Sequence, residues 1–433
     1  MKLKEEKTRE NLKKHIESIN NGVFLKDALI LLTPYYEYKQ KRLADEKVTE
    51  EFRPDEESIK LRIIYSAFIS NKIDALTELD LTQNYILSEY FGCIITALIS
   101  KNNIYKLYLS SNKISQEGSY NLGRYFNYTN KLVELDLSSN SLNEHCLKAM
   151  KAGIMTDEIC ISKLNLSNNE FTANCCPLLE RLLLKCPYLK HFNISKNKLD
   201  NEFSYIIRAF ILLAEEHKLS LQTLIAFKCN LDEESIKSFQ ELFKNRNVTT
   251  LKSIVLSDNS FKSGESCKFF FKHLLENQSI EELILSSCDI GNEEVKYITD
   301  FLSKNTVLRK LILHNNQMND SFRFNELLAL KNSEPNIDNL FNYDPDCPSD
   351  NLYSNIKPVN NWNQDSILEE LDISRNKFFF VEQMFDDLQN TKIKVLDISQ
   401  NPFVIIENNN KYKDIVTLCK KLNEANKNRK IYY

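Results

Sequence analysis

Few residues of this sequence have the type and spacing that catalysis requires. Gly118 and Gly123, followed by Arg124, are spaced like the glycines of a phosphate-binding loop, but the lysine and hydroxyl residue that complete such a loop are missing. His145 and Cys146 are adjacent, and neighbours on a helix point in different directions, so they do not form a nucleophile–base pair. The sequence also lacks His-Glu-x-x-His and Gly-x-Ser-x-Gly motifs. It therefore predicts that the protein is not an enzyme and holds no cofactor or metal.

Composition narrows the remaining classes of function. The 433 residues include 56 lysines and arginines against 60 aspartates and glutamates, a net charge of −4. That balance gives no basic footprint for nucleic acid. No run approaches the ~18 apolar residues of a membrane helix. With only 7 glycines, the chain is poorly suited to Gly-rich nucleotide-binding folds. We expect no nucleic acid, no membrane and no small-molecule substrate among its partners.

Cysteine usage and the amino-terminal residues bear on location. The 11 cysteines are scattered singly, apart from the pair Cys175-Cys176, and there is no Cys-x-x-Cys. This pattern favours packed, reduced thiols rather than zinc ligands or disulfides. The first residues mix lysines with glutamates and lack an apolar stretch, unlike a secretory signal. The sequence therefore predicts a cytoplasmic protein.

An internal repeat dominates the chain. The frame LxxLxLxxNxL, with other apolar residues at some leucine positions and cysteine at two asparagine positions, occurs eleven times. Successive frames begin 25 to 32 residues apart, except for one gap of 60 residues. Their first residues are Leu76, Ile104, Leu132, Ile161, Leu189, Leu221, Leu251, Ile280, Leu308, Leu368 and Ile393.

Each position of the frame has a physical explanation. Alternating leucines in LxL are typical of a short strand with one buried face. The asparagine, or Cys229 and Cys288 in two repeats, turns inward where the strand ends, so that its side chain can satisfy backbone groups of the bend. The rest of each repeat is helical; Val295, Ile298 and Phe301 form one apolar stripe. The sequence therefore predicts an α/β solenoid.

This frame, with its 28–29-residue spacing and helices, resembles the ribonuclease-inhibitor-like class of leucine-rich repeat proteins over about residues 76–403. The resemblance implies a curved horseshoe, with parallel strands on the concave face and helices on the convex face. The chain departs from the ribonuclease inhibitors themselves, which are far richer in cysteine and strongly acidic, and this argues against nuclease inhibition.

The repeats divide the chain into five regions. We expect a helical region and cap at 1–74, repeats one to nine at 75–330, an insertion at 331–366, repeats ten and eleven at 367–405, and a helical cap with a tail at 406–433. The insertion holds four of the 9 prolines and the single tryptophan, Trp362. Such a long loop can dock on a partner or fold back over the solenoid.

The residue inside LxL points to a binding surface. It is polar or acidic in most early repeats, apolar in four consecutive middle repeats, and aspartate in the last two. At ~4.8 Å per strand the apolar stripe runs roughly 15 Å, and a contiguous exposed patch of this kind marks an interface. The alternative is that the insertion or packing at the strand edges covers the stripe. The candidate partner-binding residues are Tyr108, Ile225, Phe227, Val255, Ile284, Ile312 and Trp362.

The sequence thus predicts a non-enzymatic scaffold that binds a protein partner through the concave face. Resemblance to other repeat proteins leaves two alternative functions open. Similar repeat proteins occur in the dynein regulatory complex of the ciliary axoneme, so the chain could be a subunit of a large cytoskeletal assembly. Ran GTPase-activating proteins share the fold and act through polar residues in loops at one edge, where Arg375 is the arginine so placed.

Overall fold

Short parallel strands and helices alternate along the chain, as the repeat frame predicts. The computed structural model describes residues 77–83, 86, 88–101, 103–262, 264–319, 368–378, 393–401, 419 and 430–432. The chain divides into two compact units, Met1–Leu231 and Asp232–Tyr433, here unit 1 and unit 2. The predicted amino-terminal cap, the insertion at 331–366 with Trp362, and nearly all of the carboxy-terminal cap lie outside the described residues.

The described part of unit 1 contains six strands that pair in parallel, in sequence order and in constant register. The strands are β1 (Glu78–Asp80), β2 (Lys106–Tyr108), β3 (Glu134–Asp136), β4 (Lys163–Asn165), β5 (His191–Asn193) and β6 (Thr223–Ile225). The helices between them are α1 (Ser88–Lys101), α2 (Gln116–Phe126), α3 (Glu144–Gly153), α4 (Cys176–Leu183) and α5 (Ser204–Glu215). Single 3₁₀ turns, Ala173–Cys175 and Asp200–Phe203, lead into α4 and α5.

Unit 2 repeats the same arrangement. Its strands are β7 (Ser253–Val255), β8 (Glu282–Ile284), β9 (Lys310–Ile312), β10 (Glu370–Asp372), β11 (Val395–Asp397) and β12 (Lys430–Tyr432). Its described helices are α6 (Glu233–Lys244), α7 (Gly264–Leu274) and α8 (Asn292–Lys304). β9 pairs directly with β10 despite the long chain segment between them. β12 was not predicted: the sequence places a polar tail there, because no repeat frame precedes Lys430.

Burial confirms the repeat register. The middle residue of each repeat strand, such as Leu107 or Leu283, is buried, while in most strands its two neighbours are half-buried or exposed on the opposite side. The predicted stripe of α8 is also buried, including Val295, Ile298 and Phe301. The leucine-rich repeat fold is therefore confirmed in each unit. Among the described residues, no helix combines the length and hydrophobicity needed to cross a bilayer.

Two glycines are needed where α2 packs against α3. A Cβ on Gly123 would lie 2.1 Å from the carbonyl oxygen of Met150, and one on Gly153 would lie 2.5 Å from that of Tyr120. Real Cβ atoms do not approach backbone so closely, so both positions require glycine. Gly123, whose spacing from Gly118 imitates a phosphate-binding loop, is thus explained by helix packing.

The asparagine side chain that recurs in the frame links neighbouring repeats. Asn316 shows the pattern: its Nδ2 donates to the carbonyl oxygens of Leu285 and Leu313, both at 2.9 Å. Its Oδ1 accepts from the amides of Cys288, at 2.9 Å, and Ile290, at 3.2 Å. One buried side chain therefore satisfies backbone groups of two successive repeats, as the frame predicts. We call the series of these residues the asparagine ladder.

The two cysteines occupy ladder positions but bond differently. The Sγ of Cys288 donates to the carbonyl oxygen of Leu256 at 3.4 Å, so it replaces the amide donor. A thiol offers no comparable acceptor, and the amide of Phe261 donates instead to the backbone carbonyl of Cys288, at 2.8 Å. Cys229 repeats the exchange with the amide of Leu199, at 3.1 Å. The structural role predicted for both cysteines is confirmed.

A left-handed residue precedes every ladder position. In all eleven repeats that residue has φ between 52° and 59°, although none of the eleven is glycine. This conformation costs a non-glycine residue roughly 1 kcal/mol or more. It turns the chain so that the next side chain points inward, and the backbone amide at the turn remains bonded, as in Ser287 N to His314 O at 2.9 Å.

Two substitutions on one strand test the register. Leu283→Asp places an unpaired carboxylate in the core, so we expect it to lower the free energy of unfolding by more than about 4 kcal/mol. Ile284→Asp, at the adjacent half-exposed position, is the control and should change it by less than about 1 kcal/mol. Urea denaturation followed by circular dichroism measures both. Equal effects of the two changes would contradict the register.

Removal of adjacent ladder side chains tests the ladder itself. Asn316→Ala leaves two buried carbonyls and two buried amides without their side-chain partner, and we expect a loss of about 2–4 kcal/mol. Cys288→Ala removes only a weak thiol donor and should cost less than half as much, as measured by urea denaturation. A larger loss for Cys288→Ala would refute the assigned role of the amide.

Candidate protein-binding surface

In each unit, one face of the paired strands is not covered by the helices of the repeats. Side chains at the first and third strand positions share this face, because successive residues of a strand alternate. We call it the strand face, and we call its two series of side chains the first row and the third row. Within each unit, constant register places the members of a row on adjacent strands.

Charges alternate along the first row of unit 2. Lys310 lies between Glu282 and Glu370, with its Nζ 3.3 Å from a carboxylate oxygen of each. Partial burial acts to lower the pKa of Lys310, but its hydrogen bonds to Glu370 and Glu282 outweigh burial and raise the pKa above its ordinary value. Ser253 Oγ donates to Glu282 at 2.5 Å. Both glutamates of this part of the first row are therefore paired with Lys310.

The residues just before these strands show the same alternation. Glu281 pairs with Lys252 at 2.9 Å and Arg309 at 3.8 Å, and Glu369 pairs with Arg309 at 3.6 Å and Lys394 at 2.7 Å. The hydrogen bond from Lys394 holds the pKa of Glu369 below its usual range. Sequence reasoning missed these pairs, although aligning the frames shows glutamate and lysine alternating.

The first row of unit 1 is also paired, and it surrounds a candidate tyrosine. Lys106 Nζ lies 3.2 Å from Glu78 Oε2, and Lys163 Nζ lies 3.6 Å from Glu134 Oε2. Tyr108 is half-buried on the third row. Burial, followed by the charges of Glu134 and Glu78, raises the pKa of its hydroxyl. Tyr108 therefore presents a neutral ring and hydroxyl on the strand face.

The remaining candidates of unit 1 lie at its last strand. Ile225 is half-buried on β6, in register with Asn193. Phe227 follows it, and the Phe227 amide donates to Ser195 Oγ at 3.1 Å, with Lys196 Nζ 5.9 Å from the ring centroid. Polar third-row residues of β3, β4 and β5 separate these two residues from Tyr108. Ile225 at the end of β6 and Phe227 two residues beyond it are therefore separated from Tyr108.

Unit 2 brings three candidates into one row. Val255 pairs in register with Ile284, and Ile284 with Ile312, on strands β7, β8 and β9. All three side chains are half-buried, so part of each remains open to contact. We call them the apolar row. Trp362, the remaining candidate, lies outside the described residues.

Aspartates and asparagines of the third row close the strand ends. Asp136 Oδ1 accepts from the amide of Ser138 at 2.8 Å and from its hydroxyl at 2.6 Å. Asp372 Oδ1 makes the same two bonds with Ser374, at 2.9 Å and 2.6 Å. One oxygen of each of these side chains is therefore used locally, which fixes the direction of the carboxylate.

A short hydrogen-bond chain joins His314 to Asp372. Ser374 Oγ donates its proton to Asp372, so His314 Nδ1, at 2.6 Å from the same Oγ, must be the donor in that contact. The ring of His314 is thereby oriented with Nε2 away from Ser374. His191 Nδ1 lies 3.1 Å from Thr223 Oγ1, and partial burial followed by the charges of Lys163 and Lys190 lowers its pKa.

Arg375, the arginine of the GTPase-activator alternative, lies on an exposed bend after β10. Its Nε donates to Oε1 of Gln400, and its backbone is left-handed, with φ of 52°. Its position at the end of a strand agrees with the sequence analysis, whereas its hydrogen bond to the neighbouring repeat could not be foreseen.

The described thiols are packed in the interior. Nine cysteine side chains are described; eight are buried, and Cys160 is half-exposed. Burial raises the pKa of Cys186 and of Cys229 to about 12, and that of Cys419 to about 11. The described residues contain no group of three or more histidine, cysteine or acidic side chains that could hold a metal ion.

Comparison with known proteins agrees with the repeat pattern. Residues 276–298 match a family model described as Leucine Rich repeat. The chain is similar to ribonuclease inhibitor of Mus musculus, 29% identical over 215 residues that cover 49% of this chain and 46% of the inhibitor. Ribonuclease inhibitor of Sus scrofa is 24% identical over 311 residues, covering 72% and 64% of the two chains.

A second group of relatives consists of longer proteins. NACHT, LRR and PYD domains-containing protein 3 of Rattus norvegicus is 26% identical over 263 residues, which cover 60% of this chain but 24% of the rat protein. The chain thus spans about half or less of the first relatives. The alignment with the solved leucine-rich repeat domain of APL1 is 17% identical and covers 78% of this chain and 71% of the APL1 chain, with a TM-score of 0.35. The predicted resemblance to ribonuclease-inhibitor-like repeats is confirmed at low identity.

Thiol labelling tests the packing of the cysteines. Brief treatment of the native chain with iodoacetamide at pH 8 should modify Cys160 before any of the eight buried thiols, because burial shields those thiols from the reagent. Peptide mapping by mass spectrometry identifies the modified residues, and Cys160→Ser should remove the fastest reaction among the nine. Early labelling of Cys229 would show that the described packing is wrong.

Proposed function

We propose that this ribonuclease-inhibitor-like leucine-rich repeat protein is a non-enzymatic scaffold that binds a protein partner through its strand face. The observation that carries the proposal is the apolar row of Val255, Ile284 and Ile312. These side chains are half-buried on the face away from the core, and the core residues beside them, such as Leu283, already complete the repeat. Folding alone therefore does not explain three adjacent apolar residues at this place.

The free energy of burying the apolar row is sufficient for a specific contact. If each residue of the apolar row hides ~50 Å² in a complex, about 150 Å² leaves water, which at ~25 cal/mol per Å² is roughly 4 kcal/mol before the costs of association. A protein can supply such an extended apolar surface. The apolar row therefore contributes substantially, and the surrounding polar rows can supply specificity.

The relatives support the proposal in general terms. The mouse and pig proteins are named for inhibiting a ribonuclease, which is itself a protein. A leucine-rich repeat chain can thus act by contacting another protein. In unit 1, Ile225 with Phe227 and the neutral ring of Tyr108 are further candidate contacts, each on the strand face.

A double substitution tests the apolar row. Ile284→Asp combined with Ile312→Asp should reduce partner capture roughly 100-fold, because it removes about 2.5 kcal/mol of apolar contact and places charge in the interface. Capture is measured by affinity purification from extracts of the cells that make the protein, with quantitative mass spectrometry. Proteins retained by the native chain and lost with the double variant are the partners.

Two further variants complete the experiment. Leu212→Asp makes the same kind of change at a residue of α5 that is 37% exposed, and should leave capture unchanged. Ile225→Asp tests the strand face of unit 1 separately. If the double variant unfolds, the apolar row is covered within the chain itself; if it stays folded and captures the same proteins, the row is not the binding surface.

A further inference from the structure

The apolar row of unit 2 continues directly into two carboxylates. Ile312 of β9 pairs in register with Asp372 of β10, and Asp372 pairs with Asp397 of β11. Neighbouring strands lie ~4.8 Å apart, so the two aspartates stand side by side on the strand face. Like charges in directly neighbouring positions of a sheet are destabilising. The apolar row is therefore followed by two like charges, and Tyr432 of β12 lies beyond them, in register with Asp397.

The glutamates in and just before strands β8 and β10 are paired with basic side chains. Glu282 and Glu370 share Lys310, while Glu281 and Glu369 share Arg309 and also pair with Lys252 and Lys394. Asp372 and Asp397 are in no ion pair within the part of the chain that the structure describes. Arg375, the nearest arginine along the chain, donates instead to Gln400. The fold thus leaves two carboxylates uncompensated beside the apolar row.

Both carboxylates are held in a fixed direction. Asp372 Oδ1 accepts from Ser374 N and Oγ, and Asp397 Oδ1 accepts from the Ser399 amide at 2.9 Å. Among the described residues, Oδ2 of each has no hydrogen-bond partner. A cation that binds there meets acceptors that are already ordered, which lowers the entropic cost of binding.

We propose that the partner segment is apolar where it crosses Val255, Ile284 and Ile312 and carries a basic side chain where it crosses Asp372 and Asp397. This inference rests on the proposed function and specifies the chemistry of the partner. Arginine suits the site better than lysine, because its planar fork of N–H donors can serve two carboxylates ~4.8 Å apart, whereas an ammonium is a compact point charge. From β7 to β11 the surface spans about 19 Å, which an extended peptide of roughly six residues covers.

Selection from a random 12-residue peptide library displayed on phage, with the full chain as target, tests this chemistry. We expect the enriched peptides to combine apolar residues with an arginine or lysine within about three positions. A synthetic copy of the best peptide is then titrated by fluorescence anisotropy. Asp372→Asn with Asp397→Asn should weaken its binding at least tenfold and reduce its dependence on salt.

Asp136→Asn is the matched control. Asp136 lies in the third row of unit 1 and makes the same two bonds with a following serine, although its Oδ2 also accepts from Asn165 Nδ2 at 3.1 Å, so the change removes one aspartate charge elsewhere on the strand face. It should leave binding of the peptide unchanged. Asparagine keeps the Oδ1 acceptor at each position, so circular dichroism should show all these variants folded.

The outcomes separate this inference from the proposed function. If the peptide is lost on Ile284→Asp with Ile312→Asp but is unaffected by Asp372→Asn with Asp397→Asn, the basic residue is refuted and the apolar contact stands. If the apolar double variant binds the peptide normally, or the native chain selects no peptide above background, the proposed function of this face fails with it. Enrichment of acidic peptides would also overturn the inference.

Discussion

Each repeat ends its strand with backbone carbonyls and amides that are buried and turned away from any strand partner, and one side chain must satisfy them. Asn316 does so for two successive repeats, with its amide nitrogen bonded to Leu285 and Leu313 and its oxygen bonded to Cys288 and Ile290. Without this link each strand–helix unit would expose unsatisfied polar groups to its neighbour. Cys229 and Cys288 meet the same need with a thiol donor and a backbone carbonyl acceptor, and their strands keep the same register.

This register also separates the side chains of the core from those of the proposed binding surface. Leucines such as Leu283 point into the core, and their strand neighbours are left to vary, so the strand face can carry an apolar row, ion pairs and carboxylates within one unit. The ion pairs around Lys310 and Arg309 are half-exposed and contribute little energy individually. In unit 2 they pair the described glutamates in and just before the strands, whereas Asp372 and Asp397 are in no ion pair among the described residues.

Much of the fold followed from the sequence because its causes are local. Alternating leucines and a buried amide identify strand, bend and spacing, and the burial of Leu283 and the bonds of Asn316 agree with that pattern. The exchange at Cys288, where a backbone carbonyl takes the place of a side-chain oxygen, was not predictable, because it is a contact between backbone groups of two different repeats. β12 was missed for a related reason: Lys430–Tyr432 is defined by pairing with β11, not by a pattern of its own. Of the candidate site, the sequence placed Val255, Ile284 and Ile312 on one row, but it could not show which charges beside them are paired.

The direct pairing of β9 with β10 has a consequence for how this architecture tolerates added chain. Ile312 and Asp372 are 60 residues apart, whereas Ile284 and Ile312 are 28 apart, yet both pairs keep the same register. Loop-closure entropy grows only with the logarithm of loop length, so the longer connection costs about 0.7 kcal/mol more than an ordinary repeat. That is no more than a typical single net hydrogen bond contributes. A connection about twice as long as an ordinary repeat can therefore join two paired strands of this architecture at small thermodynamic cost, as between β9 and β10.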